Sequence, residues 1–252
     1  MQGGIEAITG KFGGGKSYNA TRLCLDHFCN GGTCAGNLAL KWDECKEWAA
    51  RRKRVKLKDS QWIPLQDEQV PTFYKFIPKA ADPNFPVFIV LDELALFLQS
   101  ESYRDSTPEF KAFLPQPRKF GCRILAIIQE FDRLLKQMRE YVAVRHSYRD
   151  ANTVEMGGIS LAFTLPLIGE LFPYFIHSKY NPKDAKNKKP YKTTWIPKDR
   201  LIYSCFDSYH LHGDAPDMTS VSREVLERLP WRPGALEWGA VGASAAALAL
   251  LS

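Results

Sequence analysis

The sequence predicts an α/β fold of the P-loop NTPase type with a mainly parallel sheet, and three stretches carry that reading. The first is GKFGGGKS, residues 10–17, which fits G-x-x-x-x-G-K-[ST] at Gly10, Gly15, Lys16 and Ser17. The second is PVFIVLDEL, an unbroken apolar run from Val87 to Leu91 that ends in Asp92 and Glu93. The third is CRILAII, Cys122 to Ile128, followed by Gln129. Unbroken apolar runs of this length suit strands covered on both faces, as in parallel sheets. Polar residues at their carboxyl ends stand where open α/β sheets bind ligands.

Taken in order, GIEAIT (Gly4 to Thr9) is short, apolar and β-branched, and it leads directly into the glycine loop. SYNATRLCLDHF follows with Ala20, Leu23, Cys24 and His27 or Phe28 at helical spacing, which predicts an amphipathic helix. Strand, loop and helix come in the order a phosphate loop needs, whereas a merely flexible turn has no need of these flanks; the helix N-terminus adds its own attraction for an anion. Gly10, Gly13, Gly14 and Gly15 let successive backbone N–H groups turn inward on the phosphate oxygens of ATP. Lys16 reaches the β- and γ-phosphates and Ser17 takes a Mg²⁺ position. Tyr18 is grouped with this nucleotide-binding stretch. Asp92 is the expected Mg²⁺ carboxylate, so Ser17 and Asp92 are the metal candidates, and Glu93 is the candidate for orienting or activating water. Gln129 has two readings, a γ-phosphate sensor and a plain strand-end cap.

A chain of 252 residues holds one α/β domain of about 150 residues plus an appendage. Apolar content of 45% and charged content of 25% are those of a globular protein. The net charge of +6, 34 basic minus 28 acidic groups, permits contact with nucleic acid or an anionic membrane without demanding either. Two basic runs, Arg51 to Lys58 and Lys183 to Lys189, read as solvated loops or as binding patches, and neither carries the interleaved aromatics of a stacking platform. Six cysteines include no C-x-x-C, and five histidines form no recognisable ligand set, although His210 and His212 would share one side of a strand. Reduced, partly buried thiols of a cytosolic domain are expected. No signal peptide is expected, because the chain enters its first strand almost at once.

The stretch after RLPWRPGALEW differs in kind: Gly239 to Ser252 is uncharged and rich in alanine. It is short of the ~20 residues that cross a bilayer. Three readings compete: part of a membrane span, a short re-entrant anchor, and a helix packed on the protein. Arg228, Arg232, Trp231 and Trp238 just before it favour an anchor that leaves the rest in the cytoplasm. Ile159 to Ile176 has the length of a span but contains Pro166, Gly169, Glu170 and Pro173, so it reads as strands and turns. The expected organisation is a P-loop core over 1–150, an extension over 151–215, a linker over 216–235 and a C-terminal apolar helix over 236–252.

Together these segments resemble the Zot (zonula occludens toxin) family, which includes assembly ATPases of filamentous phages. The resemblance covers roughly residues 4–210 and rests on ITGKFGGGKSYNA, GGTCAGNLAL, FIVLDEL, PRKFGCRILAIIQEFDRLLKQMREYV and LIYSCFDSYH. Family members usually show Arg-His in the turn before the third strand, where this chain has Arg118 and Lys119, and Thr-Gln at the strand end, where it has Ile128 and Gln129. The resemblance implies a P-loop ATPase of the additional-strand class, related to DNA translocases and packaging motors. It implies Lys16, Glu93 and Gln129 as catalytic groups, with Arg118 or Arg139 acting in trans within a homo-oligomer, in a ring arrangement. Further implied are ATP and Mg²⁺ as cofactors, anchoring in the host bacterial inner membrane with the ATPase domain in the cytoplasm, and a role in virion assembly and extrusion. The implied partners are phage coat or other assembly proteins, and phage DNA. A genome-packaging ATPase of a membrane-containing phage shares the core motifs. A nucleotide-binding membrane scaffold with little turnover is a third reading, against which Glu93 stands.

Overall fold

The short apolar runs form strands and the amphipathic stretches between them form helices in the computed structural model, which describes residues 4–76, 85–98, 107–151, 155–156, 159–160, 173–182 and 189–207. The first half contains β1 (Ile5–Thr9), α1 (Lys16–Cys29), β2 (Cys34–Gly36), α2 (Trp42–Lys53), β3 (Trp62–Pro64) and β4 (Val87–Leu91). Then come α3 (Leu94–Phe97), α4 (Pro108–Phe113), β5 (Cys122–Ile128), α5 (Lys136–Tyr141) and β6 (Val142–Asp150). A two-residue pair, β7 (Glu155–Met156) and β8 (Ile159–Ser160), precedes β9 (Tyr174–Tyr180) and β10 (Lys192–Pro197). The expected linker, the expected apolar helix after residue 235, His210 and His212, and most of Ile159 to Ile176 lie outside the described residues. Among the described residues no helix is long and apolar enough to cross a membrane.

Local chemistry fixes several boundaries. α2 has Asp43 and Glu44 in its first turn and Arg51, Arg52 and Lys53 in its last, the arrangement that complements a helix dipole. These three basic residues form ion pairs with Glu47, Asp199 and Asp26, respectively, so half of the run Arg51 to Lys58 is held on the protein itself. α4 opens on Thr107, whose hydroxyl accepts the Phe110 N–H at 3.3 Å, with Pro108 at the first helical position.

The main sheet has eight strands in the order β10-β9-β6-β1-β5-β4-β2-β3. From β6 to β3 neighbouring strands run parallel, and β9 and β10 add an antiparallel hairpin beside β6. β5 therefore sits between the strand that feeds the glycine loop and the strand that ends in the acids. All of β4 and all of β5 except Arg123 and the flanking turns are buried, as their unbroken apolar sequence requires. One face packs Ile5, Ala7, Ile89, Leu91, Ile124 and Ile128 against Phe73, Phe110, Phe113 and Met138. The other packs Ile8, Phe88, Val90, Leu125 and Ile127 against α1 through Ala20, Cys24, Leu25 and Phe28. The expected C-terminal extension joins this architecture: its hairpin β9–β10 continues the same sheet, pairing Asp150 with Phe175 and Tyr148 with His177.

A polar ladder crosses the α1 face where apolar side chains would be expected. Glu6 of β1 accepts two hydrogen bonds from Arg123 of β5, at 3.1 and 2.9 Å, and one from His146 Nε2 of β6 at 2.9 Å. The other ring nitrogen of His146 lies 2.8 Å from His177 Nε2 of β9. Burial alone would raise the Glu6 carboxyl. The hydrogen bonds and charges of His146 and Arg123 more than reverse that and hold it at about 2. His177 is lowered to about 4, first by burial and then by the charges of His146, Lys179, Arg22 and Lys192.

Both shifts act in the same direction. Each group binds protons more readily when the chain is unfolded, so stability is complete above the unfolded pKa and is lost as pH falls. For His177 the loss should run from 6.5 down to about 4, and for Glu6 from 4.5 down to about 2. Urea unfolding across this range should show falling stability, with the upper part of the slope absent in His177→Gln. At pH 7 Glu6→Gln should cost about 2 kcal/mol, because it removes the carboxylate that faces the half-buried Arg123 guanidinium, and Glu6→Leu with Arg123→Met should recover much of that.

Candidate active site

β1 delivers the chain into the glycine loop at one edge of the sheet, with Thr9 opposite Ile128 of β5 and Leu91 of β4 opposite Ala126. The residues that follow these three strands, Gly10, Gln129 and Asp92, therefore emerge side by side. Gly10 N–H donates to the Gln129 carbonyl at 3.3 Å, and Gly14 N–H turns back on the Lys11 carbonyl at 3.2 Å. Gly15, at φ 83°, occupies the left-handed region just before α1, a conformation that glycine adopts without the cost of a Cβ. The first turn of a helix leaves its leading N–H groups without intrahelical acceptors, and here they face the loop.

Lys16 is 7% exposed, and its ammonium donates to the carbonyls of Gly10 at 3.0 Å and Lys11 at 3.2 Å. Burial lowers its pKa, and the charges of Glu93 and Asp92 work the other way. The Ser17 hydroxyl donates to Asp92 Oδ2 at 3.4 Å, which brings two hard oxygen donors together. Such a pair suits Mg²⁺, whose preferred ligands are oxygens shared with phosphates.

Glu93 stands in the left-handed region at φ 44°, uncommon for a residue with a side chain. Its own N–H donates to Asp92 Oδ1 at 2.9 Å, which stabilises the turn. Gln129 Nε2 donates to Glu93 Oε1 at 3.3 Å, so the residue between the glycine loop and the acid contacts the loop through its backbone and the acid through its side chain.

Asn37 is the site residue that sequence reasoning did not assign. It follows β2, is 6% exposed, and holds the Asp92 backbone from both sides: its Oδ1 accepts the Asp92 N–H at 2.7 Å and its Nδ2 donates to the Asp92 carbonyl at 3.1 Å. Gly36 makes this approach close, because a Cβ there would overlap the carbonyl of Val90. The available signal was the one that identified Asp92 and Gln129, a polar residue directly after a buried strand.

Three predicted site residues lie elsewhere. The Tyr18 side chain is 2% exposed and packs at a tilt between Phe175 and Tyr203, at 4.9 and 4.7 Å, with its hydroxyl hydrogen-bonded to the backbone of Asp199. Burial pushes that hydroxyl up to about 12. Any nucleotide contact by Tyr18 must therefore be made by its backbone, since the ring is committed to the core. Arg118 lies in the turn Pro117–Phe120 that leads into the amino end of β5 and lines a cleft of about 270 Å³ with Gly4, Ile5 and Tyr141. The seven residues of β5 put it about 20 Å from the carboxyl edge, at roughly 3.3 Å per residue. Arg139 pairs with Asp132 at 3.0 Å, three residues before β6 begins opposite Ile5. Neither arginine is brought to this chain's own glycine loop.

The parallel sheet, the glycine loop and the acids beside it define an α/β protein of the P-loop type. The family model described as zonular occludens toxin matches residues 5–194, and the chain belongs to that family. The N-terminal domain of zonular occludens toxin from Neisseria meningitidis is similar in structure, with 16% identity and a TM-score of 0.47 over 82% of this chain and 100% of that one. The genome packaging NTPase B204 from Sulfolobus turreted icosahedral virus 2, in complex with AMPPCP, is similar at 10% identity and a TM-score of 0.48, over 79% of this chain and 100% of that one. No curated protein matches the chain.

Asn37→Ala removes both bonds to the half-buried Asp92 backbone. It should cost about 2 kcal/mol of stability. It should also raise the Mg²⁺ concentration needed for half-maximal nucleotide binding, read by titration at fixed nucleotide.

Proposed function

We propose that this chain is an ATPase of phage assembly, anchored in the host inner membrane with its P-loop domain in the cytoplasm. The observation that carries the enzymatic part is the convergence of Lys16, Ser17, Asp92, Glu93 and Gln129 on one edge of a parallel sheet. A binding module needs the loop and the lysine. It has no need of a second acid held in a left-handed turn and hydrogen-bonded to a strand-end glutamine. Membership of the zonular occludens toxin family supports the assembly role.

On this reading the backbone N–H groups of Gly13 to Ser17 receive the phosphates. Lys16 exchanges its two carbonyl acceptors for β- and γ-oxygens, where its charge offsets the negative charge that builds up in phosphoryl transfer. Ser17 and Asp92 would hold Mg²⁺, which neutralises charge on the phosphate oxygens when bound. Glu93 orients the attacking water and accepts its proton, and Gln129 keeps the Glu93 carboxylate aimed. Arg118 is the first choice and Arg139 the second for a cation supplied by a neighbouring copy.

Lys16→Ala should weaken nucleotide binding and abolish turnover, whereas Glu93→Gln should keep binding and slow hydrolysis by at least ~100-fold, the scale of a lost catalytic base. Near-normal hydrolysis by Glu93→Gln would remove Glu93 from the role given to it. Oligomers mixed from Lys16→Ala and Arg118→Ala chains should regain part of the activity that each lacks alone, and no rescue in confirmed mixed oligomers counts against Arg118 acting in trans. Strong stimulation by duplex DNA would shift the reading from extrusion to packaging.

The anchor has its own test. Deleting residues 236–252 should abolish flotation with liposomes while leaving melting temperature and nucleotide binding unchanged. A truncated chain that melts earlier and still floats would refute it.

A further inference from the structure

We propose that Phe175, in the C-terminal hairpin, is a positioning residue that sets the conformation of the phosphate loop from beneath. This inference rests on the nucleotide-site reading above and extends the site to a part of the chain that the motifs do not reach. The Phe175 ring is packed so closely under Gly15 that a Cβ there would overlap its Cε1, Cζ and Cδ1 atoms. The loop therefore lies on the ring itself, at the residue whose left-handed backbone starts α1. A second support lies beside it: a Cβ on Gly14 would meet the Tyr148 carbonyl of β6 at 3.2 Å.

The ring has little freedom to move. It is 1% exposed, and the Tyr18 ring of α1 lies 4.9 Å from it. The Lys198 ammonium stands 4.8 Å from its centre and bonds Asp150 Oδ2 at 2.5 Å. Asp150 is also the strand partner of Phe175 across the β6–β9 pair. β9 is tied in turn to β6 and β1 through His177, His146 and Glu6. The loop's own bonds, from the Gly14 N–H to the Lys11 carbonyl and from the Lys16 ammonium to the Gly10 and Lys11 carbonyls, close its first half, whereas Gly15 lies on the ring. The backbone direction at Gly15, where the loop turns into α1, is thus set by a side chain from the last third of the sequence, and the hairpin is part of the nucleotide site.

The test compares two Phe→Leu changes of equal size in the same apolar layer. Phe28, at the far end of α1, is fully buried against Trp42 and serves as the control. Hydrogen exchange of the peptide spanning residues 10–17, measured without nucleotide, reads the loop directly. Titration with a fluorescent ATP analogue and Mg²⁺ reads the consequence. Phe175→Leu should speed loop exchange and weaken the analogue each by about tenfold, while Phe28→Leu, with a comparable fall in melting temperature, changes neither by more than about twofold. Phe175→Met, equal to leucine in volume and likewise without the ring, should loosen the loop in the same direction and stands in if the leucine variant does not fold. Wild-type loop exchange in Phe175→Leu or Phe175→Met, or an equal effect from Phe28→Leu, overturns the proposal. Failure of the wild-type chain to bind the analogue refutes the nucleotide reading instead, and the exchange comparison still decides the role of Phe175.

Discussion

The register of three adjacent parallel strands is the constraint on which the candidate site depends. β1 and β5 end level, β4 ends beside them, and β2 reaches the same edge, with Gly36 opposite Val90. Groups far apart in sequence, such as Ser17 and Asp92 or Gln129 and Glu93, meet only because those pairings hold. A slip of one residue in any of them would turn every side chain of that strand to the other face. The two faces are unlike, and the Glu6–Arg123 pair belongs to one of them, so a slip of β1 or β5 would turn Glu6 or Arg123 toward the apolar cluster of the other.

That asymmetry explains what the polar ladder contributes. A buried ion pair gains little net stability over apolar side chains of the same volume, since desolvation offsets most of the attraction. Its penalty for mispairing is large, however. Glu6, Arg123, His146 and His177 come from four strands, β1, β5, β6 and β9, and satisfy one another only in the native order. The ladder therefore fixes which strands are neighbours and at what height. It also bonds the hairpin to the strand that feeds the glycine loop, so the support under Gly15 is tied to the same frame as the loop it supports.

Much of this was legible in the sequence, and the division between what was and what was not has a physical cause. The glycine loop, its strand and helix, and the runs Val87 to Leu91 and Cys122 to Ile128 could be read because their signals are local: backbone freedom, periodicity, and apolar residues without interruption. Asp92, Glu93 and Gln129 were legible from their place after such runs. Asn37 was not assigned because β2 has only three residues and little apolar run to mark its end. Phe175 and the ladder could not be read at all. Their meaning depends on β9 returning beside β6, a pairing that no local pattern in Tyr174 to Tyr180 announces. Tyr18 was grouped with the loop by adjacency, but helical geometry turned its ring into the core.

The two ends of the sheet have unequal chemistry, and this bears on how the site could be completed. The carboxyl edge gathers the loop, the lysine and the acids, whereas Arg118 stands at the amino edge beside a cleft shared with Tyr141. A rigid sheet keeps these ends about 20 Å apart, since strands neither shorten nor fold back within a domain. An arginine at one end can serve a phosphate at the other only if it belongs to a different molecule. The contact that delivers it must then join unlike surfaces, the carboxyl edge of one copy to the amino edge of the next. Head-to-tail contacts of that kind repeat in one direction, closing into a ring if the rotation between copies allows it and running on as a filament if it does not. A two-fold pair meets the same requirement only if its shared patch spans both edges, so that each copy's Arg118 faces the other's glycine loop. The position of Arg118 in the fold thus ties any contact with a phosphate to a second copy of the chain, and evidence that a single copy turns over at full rate weighs against it.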